Sequence, residues 1–120
     1  MSYPMTLDDH AREIHEWARS KGFYDREQLV HHDPVTGNVE ARLLNPSLPS
    51  EKLMLIVTEV AEVQEALRDD DKENEAEEVA DILIRVLDYA AWRGINLDVE
   101  LRVKMGRNRE RPYLHGRVAF

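Results

Sequence analysis

The sequence predicts an all-α protein, with a four-helix-bundle-like core and a long loop between the first helical region and a central helix pair. Three observations lead there. Apolar residues recur at three- and four-residue spacing through most of the chain. Gly and Pro number only 5 each, a profile that suits helices better than sheets. The periodic stretches are bounded by residues that start and stop helices. At 120 residues the chain is expected to form a single domain, 1–120, large enough for one core.

The first helix starts after Thr6, a good N-cap, with Asp8 and Asp9 in the turn where the helix dipole favours acids. Leu7, Ala11, Ile14, Trp17 and Ala18 keep helical spacing to about Ser20, and Gly22 provides the stop. Phe23 to Val30 is expected to add a short helix capped by Asp25. From His31 to Pro49 the chain is punctuated by Pro34, Gly37, Asn38, Pro46 and Pro49, which predicts a loop with a small hairpin at Thr36 to Asn38. A loop of that length suits a lid or a partner contact. Adjacent His31 and His32 offer metal-binding nitrogens, but neighbouring loop residues seldom converge on one ion.

The central pair follows. Ser50 is expected to cap a helix ending near Arg68, with Leu55, Ile56, Val60, Val63 and Leu67 as its apolar stripe. Asp69, Asp70 and Asp71 make the turn. The next helix carries Val79, Ile82, Leu83, Val86 and Leu87, and Gly94 ends it with Ile95 behind. Asn96 opens the last helix, in which Leu97, Leu101 and Met105 form an apolar row beside Val99 and Val103. Pro112 stops it, before a short terminal turn at Tyr113, His115 and Gly116.

Composition narrows the function. The net charge of −8 argues against broad electrostatic binding to nucleic acid. Cys is absent, which removes disulfides, thiol nucleophiles and Cys-ligated zinc, and fits a reducing, cytoplasmic setting. The first residues lack the pattern of a signal peptide, and no apolar run approaches a membrane span, so no membrane partner is expected.

The chemistry concentrates on the central pair. Glu59 and Glu62 lie three apart on its first helix, Glu78 and Asp81 three apart on its second. Residues at that spacing share a helix face. Each pair is flanked by core positions, where unpaired carboxylates repel and resist desolvation. A bound divalent cation removes both costs, and hard ions such as Mg²⁺ take carboxylate oxygens together with substrate phosphates. A single such pair on a helix is ordinarily a solvated surface feature. Two on adjacent helices shift the balance toward a site. On the first helix His15 could face a ligand, though a surface role is commoner. Trp17 is by default a core residue and could stack on a base. Lys104, Arg107, Asn108, Arg109, Arg111 and Arg117 form a basic cluster after the last apolar row. Cations there suit a helix C-terminus, and they also suit phosphate oxygens.

The segments T-E-V-A-E and E-V-A-D, fifteen residues apart, resemble the ExxE…ExxD signature of the MazG-like all-α NTP pyrophosphohydrolases. KGFYD, EKLMLIVTEVAEVQEAL, EEVADILIRVLDYAAWRGINL and KMGRNRERPYLHG are similar to the compact single-domain members. The resemblance implies hydrolysis of a nucleoside triphosphate to a monophosphate and pyrophosphate, with Mg²⁺, or Mn²⁺ in its place. It implies Glu59, Glu62, Glu78 and Asp81 as metal ligands, with Glu59 or Glu62 free to take a proton. Lys104, Asn108 and Arg111 would lie near the phosphates, in a homodimer or homotetramer with sites near the subunit interface. Thr58 stands where the family's first motif usually begins with another acid, so fewer metal ligands are available here. Two other readings compete: a non-catalytic helical partner-binding protein with a solvated acidic face, and a related phosphohydrolase acting on a phosphoribosyl or other non-canonical substrate. A di-iron bundle is set aside, because it needs Glu-x-x-His and the sequence has none.

Overall fold

The computed structural model describes residues 4–25, 28–32, 35–36, 39–43 and 47–112. Four helices make the architecture: α1 (Leu7–Ser20), α2 (Leu48–Arg68), α3 (Lys72–Trp92) and α4 (Leu97–Arg109). The expected all-α, four-helix-bundle-like class is what forms, and the small hairpin expected in the long connection is longer than the sequence suggested. There β1 (Gln28–His32) and β2 (Val39–Leu43) pair antiparallel, with Val30 opposite Ala41.

Helix α1 begins where the sequence placed it. Thr6 and Asp9 form a reciprocal capping box: the Asp9 amide donates to Thr6 Oγ1 at 3.0 Å, and the Thr6 amide donates to Asp9 Oδ2 at 2.9 Å. The two amides between them, Leu7 and Asp8, donate to the carboxylate of Asp98 in the first turn of α4, at 3.1 and 2.9 Å. Every orphan donor of this helix start therefore has an acceptor.

Helices α1, α2 and α3 end in one way. The residue after the C-cap turns left-handed, its amide bonds back three residues, and the next amide bonds back five. At α1 the turning residue is Gly22 (φ 86°), and Phe23 N donates to Ala18 O at 3.1 Å. At α3 it is Gly94 (φ 69°), and Ile95 N donates to Ala90 O at 2.8 Å. At α2 it is Asp70 (φ 53°), the one non-glycine residue with positive φ among those described. Asp71 then accepts from Asn74 N and caps α3.

Two expected boundaries move. Helix α2 starts at Leu48, behind Ser47, so Ser50 lies inside its first turn and Pro49 is its second residue. Proline is well placed there, because a first-turn amide has no intrahelical acceptor to lose. The short helix expected over Phe23 to Val30 does not form. Residues 21–25 are a turn closed by Asp25 N donating to Gly22 O at 3.2 Å, and Gln28 to Val30 belong to β1, whose ladder supplies the bonds a helix would have made. Thr36 sits in a turn between the strands. Gly37 and Asn38 lie outside the described residues, as do the side chains of His31 and His32 and the terminal segment holding Tyr113, His115, Gly116 and Arg117.

Helix α3 is the centre of the packing, with α2 along one side and α1 along another, while α4 joins through α1. The buried hydrophobic residues are Ala11, Ala18, Tyr24, Ala66, Leu87 and Ala90. Small residues at these contacts let the helices approach closely. Leu55, Ile56, Val63, Ile82, Val86 and Leu87 are sheltered as the stripes predicted, but Val60, Leu67, Val79 and Leu83 are exposed. The physical reason is width: a single helix–helix seam is narrower than either apolar stripe. No helix among the described residues is long and apolar enough to cross a membrane.

Candidate metal centre and substrate cleft

Helices α2 and α3 are joined by three residues and so run antiparallel. That direction brings the start of one acidic pair opposite the end of the other. One carboxylate oxygen from each of Glu59, Glu78 and Asp81 lies within 4.8 Å of the other two. Glu59 is only 9% exposed. Glu78 Oε2 is shut off from solvent with no hydrogen-bond partner among the described residues. The Glu78 carboxyl is pushed up from 4.5 to about 7, first by a hydrogen bond shared with Glu62, then by desolvation, then by the charges of Glu62, Asp81 and Glu59. A buried acceptor with no donor is an expensive arrangement unless a cation completes it. The donor set is all carboxylate oxygen, which fits a hard divalent ion.

Thr58, at the position where the resemblance would put another acid, donates its hydroxyl to Met54 O at 3.0 Å. It is tied to its own helix. Glu59 has one cationic partner, Arg85, whose Nε donates to Glu59 Oε1 at 3.2 Å.

Beside the acids opens a cleft of about 310 Å³, lined by Glu59 from α2, by Asp81, Ile84, Arg85 and Asp88 from α3, and by apolar residues including Trp17 and Phe23 from α1 and the turn after it. The turn after α1 builds the apolar side. Gly22 reverses the chain, sending Phe23 outward against Trp17, edge to face with centroids 5.9 Å apart, and Tyr24 inward. Trp17 and Phe23 stay 53% and 52% exposed. Trp17 is thus a cleft residue and not the core residue its spacing made the default.

Tyr24 anchors that turn. Its hydroxyl donates to Asp88 Oδ2 at 2.6 Å, its ring meets His15 edge on, and Lys52 Nζ sits 4.1 Å from its centroid. His15 Nδ1 bonds Asp88 Oδ1 at 2.8 Å, while Arg19 Nε donates to His15 Nε2 at 2.9 Å. An Nε2 that accepts from Arg19 is unprotonated, so the ring is the neutral tautomer donating to Asp88. His15 therefore stands behind the cleft wall, holding Asp88, and is not among the residues that line the cleft.

Lys104, Asn108 and Arg111 do not line the cleft of their own chain either. Lys104 and Asn108 are one turn apart on α4, and Arg111 follows its end, its amide donating to Asn108 O at 3.2 Å. Asn108 Oδ1 is buried without a hydrogen-bond partner among the described residues. Sequence reasoning missed Arg85 and Asp88. Arg85 carries a detectable signal, since it falls one turn after Asp81 on the acid-bearing face. Asp88 could be found only through its partners, which come from α1 and the turn after it.

Carboxylates gathered between two antiparallel helices, beside a cleft with aromatic walls, mark the MazG-like all-α pyrophosphohydrolases. Comparison with protein families is consistent and narrower. Residues 38–103 match the phosphoribosyl-ATP pyrophosphohydrolase family, and the chain belongs to it. The activity class is accordingly a pyrophosphohydrolase, acting on an acid anhydride. No curated protein and no solved structure gives a significant match. The matched segment holds all four motif acids, whereas Trp17 and Phe23 come from outside it.

Proposed function

We propose that the protein hydrolyses nucleoside triphosphates between the α and β phosphates, releasing a monophosphate and pyrophosphate, with Mg²⁺ held by Glu59, Glu62, Glu78 and Asp81. The observation that carries this reading is the convergence of Glu59, Glu78 and Asp81, with Glu78 Oε2 buried and Glu59 and Asp81 lining the cleft. A solvated acidic face, as a partner-binding protein requires, does not bury its carboxylates in this way.

Bound there, Mg²⁺ supplies charge neutralisation to phosphate oxygens and acidity to a water. The chain's own residues divide the remaining work. Glu59, Glu78 and Asp81 orient the ion. Glu62, the exposed member of the ligand set, keeps an oxygen with which to accept the proton of the attacking water. Trp17 and Phe23 offer flat faces to a base. The water's oxygen joins the α phosphorus as its bond to the α–β bridging oxygen breaks, and pyrophosphate leaves carrying that oxygen.

The working form in this proposal is a homodimer or homotetramer. Val60, Leu67, Val79 and Leu83 on the central pair, and Val99, Leu101, Val103 and Met105 on α4, are all exposed. That much apolar surface on adjoining helices calls for cover, and a second copy presents matching rows. Pairing also gives Lys104, Asn108 and Arg111 a route to phosphates bound in the partner subunit.

The family's own name favours a second substrate, phosphoribosyl-ATP, in which the same kind of anhydride carries a larger base-side group. One experiment tests both: canonical and modified nucleoside triphosphates and phosphoribosyl-ATP, each with Mg²⁺, analysed for pyrophosphate against phosphate release. Release of phosphate alone, or of nothing from any substrate, refutes the reading.

A further inference from the structure

We infer that Arg85 is a substrate-contacting residue, holding the phosphate nearest the sugar between the acid cluster and the aromatic wall. The inference deepens the proposed function and rests on it.

Arg85 is the one cationic side chain among the described residues lining the cleft. Helix α3 sets its position: it follows Asp81 by one turn and lines the same cleft as Asp81, Trp17 and Phe23, with its guanidinium against Glu59. Its Nε is engaged by Glu59 at 3.2 Å. Its terminal nitrogens make no hydrogen bond among the described residues. Asp88, the next acid along the same face, is engaged instead by His15 at one oxygen and by Tyr24 at the other.

The result is a guanidinium fixed at one edge, with its other N–H groups free to face the cleft. Arg suits this role because its planar fork can bond two acceptors in different directions at once. The neighbouring carboxylates define what those groups meet. A substrate whose phosphates occupy the acid end and whose base lies on Trp17 and Phe23 must pass its sugar-linked phosphate beside Arg85. The ion pair with Glu59 then serves as a tether, setting the angle of the fork. As a stability device alone it is weak, since the Arg85 side chain is 38% exposed and such pairs contribute little.

The test compares wild type with Arg85→Gln and Arg85→Lys in binding and turnover. By calorimetry with Mg²⁺ present, wild type should bind a nucleoside monophosphate more tightly than the matching nucleoside. Arg85→Gln should shrink that preference about tenfold and leave nucleoside affinity within about twofold. Arg85→Lys should recover part of the preference. Turnover by Arg85→Gln should fall at least tenfold, while Mn²⁺ binding without nucleotide and the melting temperature stay close to wild type. An unchanged preference for the monophosphate overturns the inference and leaves Arg85 a surface ion pair. An equal loss of nucleoside and monophosphate binding also overturns it, by placing Arg85 at the base. Wild type that hydrolyses no triphosphate removes the function on which the inference rests, and both fall together. An active wild type with an unchanged preference sinks Arg85 alone.

Discussion

Metal binding at the acid cluster should release protons, in an amount fixed by Glu78. Its carboxyl titrates at about 7 in the folded protein, held up by Glu62, by burial and by the charges around it. A metal ligand must be deprotonated, so the ion has to displace whatever proton Glu78 carries. At pH 6.5 that is about 0.75 proton per site, and at pH 7.5 about 0.25. The assay is calorimetric titration with Mg²⁺ or Mn²⁺ at each pH, in two buffers of different ionisation enthalpy. The proton count is the slope of observed heat against buffer heat. Glu62→Gln removes the largest cause of the shift and one charge. In that variant release at pH 6.5 should drop below about 0.3, because an amide can donate to the Glu78 carboxylate and favour its charged form. The same shift fixes a sign for the metal-free protein. A carboxyl raised above its unfolded value of 4.5 contributes stability below pH 4.5 and loses it as pH rises toward 7. Melting temperature without metal should therefore decline across that window, and Glu78→Gln should flatten the decline. Release near zero at both pH values, with tight metal binding intact, would refute the argument that these acids are crowded around Glu78.

Other outcomes follow from the same geometry. Asp81→Asn should leave the metal-free fold no less stable, abolish most of the Mg²⁺-induced shift in melting temperature and cut hydrolysis by orders of magnitude; a full Mg²⁺ shift with normal turnover would return the acids to the status of a surface patch. Lys104→Ala or Arg111→Ala should weaken turnover alike for every base, since phosphate contacts carry no base information; loss confined to one base would move these residues to the nucleobase. Leu101→Glu, placing a charge in the exposed row of α4, should shift the light-scattering mass toward the monomer; an unchanged mass would remove α4 from the interface. Asp70→Gly should raise stability by about 0.5–1 kcal/mol in denaturant titration, because glycine relieves the left-handed backbone at the end of α2.

The sequence was most informative where local chemistry decides. Thr6, Asn96, Gly22 and Gly94 do at their helix ends what their side chains, or lack of one, permit, and the structure puts them at those ends. The acid motif was legible because three-residue spacing on two consecutive helices survives any reasonable packing. Two kinds of feature were not legible. Residues Gln28 to Val30 have no helix or strand preference strong enough to resist a partner, and β2 decided for strand. The second kind is any pairing across the fold. Arg85 with Glu59, and His15 and Tyr24 with Asp88, join residues 26, 73 and 64 apart, and no local pattern announces them. Stripe width was the remaining gap. Periodicity shows that Val60 and Val79 share a face with core residues, but not that the protomer leaves that part of the face bare.

Asp98 has a bearing on how the chain matures. Its carboxylate satisfies the amides of Leu7 and Asp8, 91 and 90 residues earlier. The first of the four helices thus receives two of its end bonds from a residue of the fourth. A nascent chain halted before Asp98 would carry α1 with those two donors facing water and its first turn free to fray. Commitment to the native arrangement is thereby deferred until three of the four helices have been made and the fourth has begun. Shortening the chain from its C-terminal side past that point should loosen its opening helix, which in turn carries Trp17 into the cleft.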